Sequence, residues 1–217
     1  AVSLRGTGHL KSPGKFFIPG DISSASFFLV LASIVTGSRL VLRNVSLNPT
    51  RTGLISVLKR MGASLRLSPG KASVRGGEPY GSIIVRSALL HGTTVKKEEI
   101  PLLIDELPIL MVAASYASGM TVIEGAQELR VKETDRIASL VRNLHAMGGS
   151  VRVRSSGSRQ DLFITGVGKL RGASVKSYGD HRTAMSMIVA AAGAEGVTKL
   201  DDVSCISKSF PDFLSVI

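Results

Sequence analysis

Three apolar runs, each opened by an aspartate, set the rhythm of the chain. Asp21-Ile22-Ser23-Ser24 leads into FFLVLASIV, Asp105-Glu106-Leu107-Pro108 into ILMVAASYA, and Asp180-His181-Arg182-Thr183 into AMSMIVAAAG. Each run is apolar nearly all round and rich in small residues, which predicts a helix buried on every side. Each closes near a glycine (Gly37, Gly119, Gly196) and passes into a short run, RLVLRNV, MTVIEGA or VTKLDDV, that predicts a strand. Thr50, Thr134 and Ser209 each stand 29 residues beyond the opening aspartate, where a second helix is expected. In the first two copies that helix is amphipathic. Leu54, Val57, Leu58 and Met61 alternate with Lys59 and Arg60, and Ile137, Leu140, Val141 and Leu144 repeat the spacing. Asn48-Pro49 supplies a cap and a first-turn proline, and Phe210-Pro211 is similar. SLRLS, SIIVRS, SVRVR and DLFITGV read as further strands. The chain is therefore an α/β repeat of βαβαββ units, with the third copy stopping after its second helix begins.

Residues 1–18 stand outside this repeat, and PGKFFIPGD reads as a strand leading to a hinge. The opening is polar and Gly-rich, and the end, PDFLSVI, stops inside a helix-like run, so a piece of a longer protein is expected.

Composition narrows the partners. The 217 residues carry 27 Lys and Arg against 16 Asp and Glu, a net charge of +11, so anions are the expected ligands. At 44% hydrophobic the chain is not disordered. No uncharged apolar run approaches the ~18 residues of a membrane span. A single cysteine, Cys205, leaves no disulfide scaffold or Cys-rich zinc site and is read as a small buried residue in a reducing, cytoplasmic setting. Aromatics are 5% with no Trp, which weighs against a single-strand nucleic-acid binder. Asn44-Val45-Ser46 matches a glycosylation sequon, but nothing else suggests secretion.

Two constellations carry candidate chemistry. In Arg130-Val131-Lys132-Glu133-Thr134-Asp135-Arg136, five of seven residues are charged, at a strand–helix junction. In Tyr178-Gly179-Asp180-His181-Arg182, a histidine is flanked by Asp and Arg at a helix start. If the three copies pack around one axis, the N-termini at Asp21, Asp105 and Asp180 converge into an anion site. The plain alternative is that these aspartates only cap helices. Lys208 and Glu133 each fall 28 residues past their opening aspartate, so a cation and a carboxylate occupy equivalent junctions.

PGDISSASFFL, NPTRTGL, IDELPIL, ELRVKETDRI, YGDHRTAM and SFPDF, in this order, resemble the enolpyruvyl transferase family. The resemblance implies an inside-out α/β barrel with buried parallel helices. It makes residues 19–217 the C-terminal of two domains and residues 1–18 the last segment of the other. The implied reaction moves the enolpyruvyl group of phosphoenolpyruvate to the 5-hydroxyl of shikimate 3-phosphate, on the route to aromatic amino acids. Phosphate is released by addition and elimination, with no cofactor and no metal. Asp105 would bind the ring hydroxyls and help deprotonate the attacking one. Glu133 would move the proton at the methylene carbon, and Lys132 would shuttle the hydroxyl proton. Arg136, Arg182 and Lys208 would hold phosphoenolpyruvate, with His181 supporting them. Glu128, where many relatives have Asn, would face the shikimate ring beside Asp105 and Lys132. The implied partners are these two anions and the missing domain, with no nucleic acid and no membrane, in a protein monomeric at full length. Two rivals rank lower. One is the sister activity on UDP-N-acetylglucosamine, which lacks the RVKE and DHR combination. The other is a basic RNA-binding domain like the RNA 3′-phosphate cyclases.

Overall fold

The computed structural model describes residues 2–6, 8, 12, 14–15, 17–70, 77–132 and 134–217. The three apolar runs are helices α1 (Ile22–Ile34), α3 (Leu107–Tyr116) and α5 (His181–Gly193), packed against one another at the centre. Two of their buried serines are satisfied within their own helix. Ser33 Oγ donates to the Leu29 carbonyl at 2.7 Å and Ser115 Oγ to that of Met111 at 2.9 Å. The expected amphipathic helices are α2 (Gly53–Arg60) and α4 (Arg136–Ala146), which bury Leu54, Leu58, Ile137, Leu140 and Leu144.

Strands lie outside the helices. In the first copy β1 (Arg39–Ser46), β2 (Ser64–Pro69) and β3 (Tyr80–Arg86) form an antiparallel sheet in the order β1-β3-β2. In the second, β4 (Thr94–Val95), β5 (Met120–Ile123), β6 (Ser150–Ser156) and β7 (Arg159–Thr165) run β4-β5-β7-β6, with β4 and β5 parallel. The third contributes the parallel pair β8 (Ser174–Val175) and β9 (Lys199–Leu200). Short parallel strands thus flank the buried helices of the second and third copies. In the first copy a single bridge, Gly20 to Val45, takes that role. Close packing at these crossings requires glycine: a Cβ on Gly92 would lie 2.2 Å from the Met120 carbonyl oxygen. The third copy closes on the first through its last turns, where α6 (Phe213–Val216) begins. Phe210 and Phe213 meet Phe27 and Phe28 of α1 with ring centroids 5.7 to 6.0 Å apart. Cys205 is free and buried.

Three local expectations are corrected. Asn48-Pro49 does not start α2. The Asn48 carboxamide oxygen instead accepts from the Thr50 amide at 3.0 Å, closing a turn, and the helix begins after Thr52. Phe210-Pro211 likewise precedes a helix that begins only at Phe213. Residues 17–19 form no strand; Pro13 and Phe16 of that stretch lie outside the described residues.

Candidate active site

Helix starts at one end of the bundle build the site. Asp21 caps α1, accepting from the Ser23 and Ser24 amides, and Asp180 caps α5, accepting from Thr183 at 2.8 Å. Asp105 is different. Pro108 sets the start of α3 at Leu107, and Asp105 stays in a preceding 3₁₀ turn, Ile104–Glu106, capping nothing. Its carboxylate is free for side-chain partners, and an arginine reaches it from each copy. Arg182 approaches at 3.4 Å and donates to the Asp105 carbonyl at 3.0 Å; Arg136 stands at 3.7 Å and Arg51 at 3.9 Å.

Arg136, the first residue of α4, is 1% exposed, as is Asp180, whose Oδ2 accepts from Arg136 Nε at 2.9 Å. Burial works to raise the Asp180 carboxyl. The Thr183 amide and Arg136 outweigh it and hold the group below the usual carboxylate range, with His181 adding to the effect. His181 is the first residue of α5, one position before Arg182.

Sequence reading missed two members. Arg51, from the turn before α2, donates to Ser23 Oγ at 2.9 Å, and Ser23 Oγ donates in turn to Glu106. Glu106 is 1% exposed. A carboxylate directly before an unbroken apolar run was the available signal for it. For Arg51 no local signal existed, because the contact joins the first copy to the second. Burial pushes the Glu106 carboxyl upward, partly offset by Ser23, Arg182 and Arg51, while Asp105 adds to the rise. A carboxyl raised by folding costs stability as pH climbs from its unfolded value near 4.5 toward its folded one, and that cost persists above. Glu106→Gln keeps an acceptor for Ser23 and removes the charge. Its melting temperature relative to the parent is expected to rise between pH 4.5 and 7, by about 2–4 °C per kcal/mol. A pH-independent difference in thermal melts would refute the buried-charge account.

Beside this cluster Ile104, Glu128 and Lys132 line a cleft of ≈ 650 Å³. Glu128 is exposed and Lys132 half-buried. Glu133 lies outside the described residues. Lys208 ends a 3₁₀ turn, Ser204–Lys208, that packs on α5; it is exposed and makes no hydrogen bond or ion pair with the Asp105 cluster. The structure thus joins Asp105, Arg136 and Arg182 directly, sets Glu128 and Lys132 along the neighbouring cleft, and gives Lys208 no direct contact with the cluster among the described residues. Three cations around one partly exposed carboxylate, at helix N-termini, suit an anionic ligand carrying a group to be deprotonated. Among the described residues no group of three or more His, Cys, Asp or Glu could hold a metal ion, and no helix is long and apolar enough to cross a membrane.

Comparison with known proteins agrees along almost the whole chain. The family model described as EPSP synthase (3-phosphoshikimate 1-carboxyvinyltransferase) matches residues 2–217. The 3-phosphoshikimate 1-carboxyvinyltransferases of Geobacter sulfurreducens and Thermosynechococcus vestitus are 46% and 47% identical over 97% and 100% of this chain. The match covers 48% of each relative, so the chain spans about half the length of the curated relatives it matches. The solved EPSP synthase of Acinetobacter baumannii superposes with a TM-score of 0.84 at 39% identity, over 92% of this chain and 45% of that one. The enolpyruvyl transferase NikO of Streptomyces tendae shares the fold, with a TM-score of 0.65 at 16% identity, over 89% of this chain and 41% of that one. The repeated α/β units around buried helices are accordingly an enolpyruvyl transferase domain, and the chain belongs to the EPSP synthase family.

Proposed function

We propose that the full-length protein carrying this chain transfers the enolpyruvyl group of phosphoenolpyruvate to the 5-hydroxyl of shikimate 3-phosphate, releasing phosphate. This is a cytoplasmic step of aromatic amino-acid biosynthesis, carried out by a monomer. Residues 1–18 end one domain, and residues 19–217 form the C-terminal domain whose helix starts face the other across the substrates. The observation that carries this reading is Asp105, held by an arginine from each of the three repeats.

The chemistry follows from the charges. Asp105 accepts hydrogen bonds from the shikimate ring hydroxyls and takes part in removing the proton of the attacking one, which Lys132 shuttles. The 5-oxygen bonds to C2 of phosphoenolpyruvate as Glu133 protonates the methylene carbon, giving a tetrahedral intermediate. Glu133 then withdraws a proton from the new methyl group as the C2–O bond to phosphate breaks. Arg136, Arg182 and Lys208 bind the carboxylate and phosphate of phosphoenolpyruvate and stabilise the departing charge. His181 supports that group, and Glu128 faces the ring.

The test is phosphate release by the full-length protein. Release is expected only with both substrates present. Release from phosphoenolpyruvate with UDP-N-acetylglucosamine, and none with shikimate 3-phosphate, would overturn the substrate assignment.

A further inference from the structure

The outer face of the first sheet holds a second concentration of positive charge, distant in chemistry and connectivity from the Asp105 cluster. Arg39 on β1 pairs directly with Arg86 on β3, whose other cross-strand neighbour is Ser64 on β2. Arg66 follows two residues after Ser64 and therefore shares its face. The three arginines are exposed and, with Ser64 and Ile84, line a depression of ≈ 520 Å³ that contains no acidic residue. Among the described residues no side chain of the three makes a hydrogen bond or an ion pair.

This arrangement opposes fold stability. Directly opposed residues in an antiparallel pair have Cβ atoms about 4.5–5.5 Å apart, and like charges there are destabilising. The second copy, built from the same unit, carries no such pair: the row equivalent to Arg39, Arg86 and Ser64 holds Met120, Thr165 and Ser150. Farther along that sheet the arginines have acidic partners, since Arg154 pairs across the strands with Asp161, and Arg159 lies 2.9 Å from Asp161 and 3.5 Å from Glu124. The depression between Arg39, Arg66 and Arg86 offers none. On β3 and β2 the charge ends there, since the row beyond Ile84 and Arg66 is Ser82 opposite Ser68. Three guanidinium forks and a hydroxyl around one depression match a compact, multiply charged oxyanion rather than an extended polyanion.

We propose that Arg39, Arg66 and Arg86 form a binding site for a small phosphate-bearing anion on the outer face of the first sheet. The ligand supplies the negative charge that the lining of the depression lacks. The site is independent of the transfer reaction, and its test reads local signals rather than turnover.

The experiment titrates inorganic pyrophosphate, and separately ADP, into ¹⁵N-labelled full-length protein at constant ionic strength, following the amides of Ser64, Arg66, Ile84 and Arg86. Saturable shifts with a Kd below about 1 mM are expected for at least one of the two. Tighter binding of ADP would identify an organic phosphate, and tighter binding of pyrophosphate an inorganic one. Arg86→Gln is expected to weaken binding at least ~10-fold, and Arg152→Gln on the second sheet to leave it unchanged. Arg86→Gln removes a like-charge pair, so without ligand it is expected to melt no lower than the parent. Arg66→Gln, outside that pair, gives a second reading of the same loss. Shifts that drift linearly to about 10 mM for both anions, or binding by Arg66→Gln and Arg86→Gln as tight as the parent's, would overturn the site.

Discussion

Asp105→Asn and Glu133→Gln, each made in the full-length protein, are expected to lower phosphate release about 1,000-fold while substrate binding stays measurable. Both changes preserve size and remove a carboxylate that the proposed scheme uses to move a proton. For Asp105 the sign of the binding effect discriminates further. The aspartate is the counter-charge to Arg51, Arg136 and Arg182. Removing it leaves three cations facing the cleft, so the KM for phosphoenolpyruvate should hold steady or fall while kcat collapses. A structural role alone would raise KM and lower the melting temperature together. Normal turnover in either variant would remove that residue from the proton path.

Arg136→Met should produce the largest loss of stability. It strips the 2.9 Å ion pair from Asp180 and leaves a carboxylate that is 1% exposed without its cation. Breaking a buried pair from one side costs about 3–5 kcal/mol, or roughly 6–20 °C at ~2–4 °C per kcal/mol. The pH dependence gives the mechanism away. In the parent the Asp180 carboxyl sits below its ordinary value despite burial, so its contribution is present above about pH 4 and lost as acid protonates it. In Arg136→Met burial is opposed mainly by the Thr183 amide, and the deficit should be greatest at neutral pH and shrink toward pH 4. Adding Asp180→Asn, which can still cap α5, should restore part of the loss. Equal melting of parent and Arg136→Met between pH 5 and 8 would mean the pair is not a stabilising contact.

Much of the architecture is legible in the linear pattern because it follows from local periodicity. The all-round apolar character of Ile22–Ile34, Leu107–Tyr116 and His181–Gly193 leaves only burial as a stable outcome for those helices. The recurring offset between Asp and second helix reveals three copies of one unit. Asp21 and Asp180 cap helices as their position suggests. Helix starts were less legible. A turn held by the Asn48 side chain delays α2, and the delay is what frees Arg51 to reach Ser23.

What this chain's sequence settles by itself is the repeat, the buried helices and the identity of the charged groups near their starts, since these depend on spacing along one segment. Only the tertiary structure decides which of those groups meet. Asp105 escapes capping because Pro108 sets where α3 begins, and it then gathers Arg51, Arg136 and Arg182 from three copies. Glu106 pairs with a serine 83 residues earlier, and Arg39 faces Arg86 across two strands. Such contacts arise from how segments distant along the chain pack, within a unit or between units, and no local periodicity encodes them.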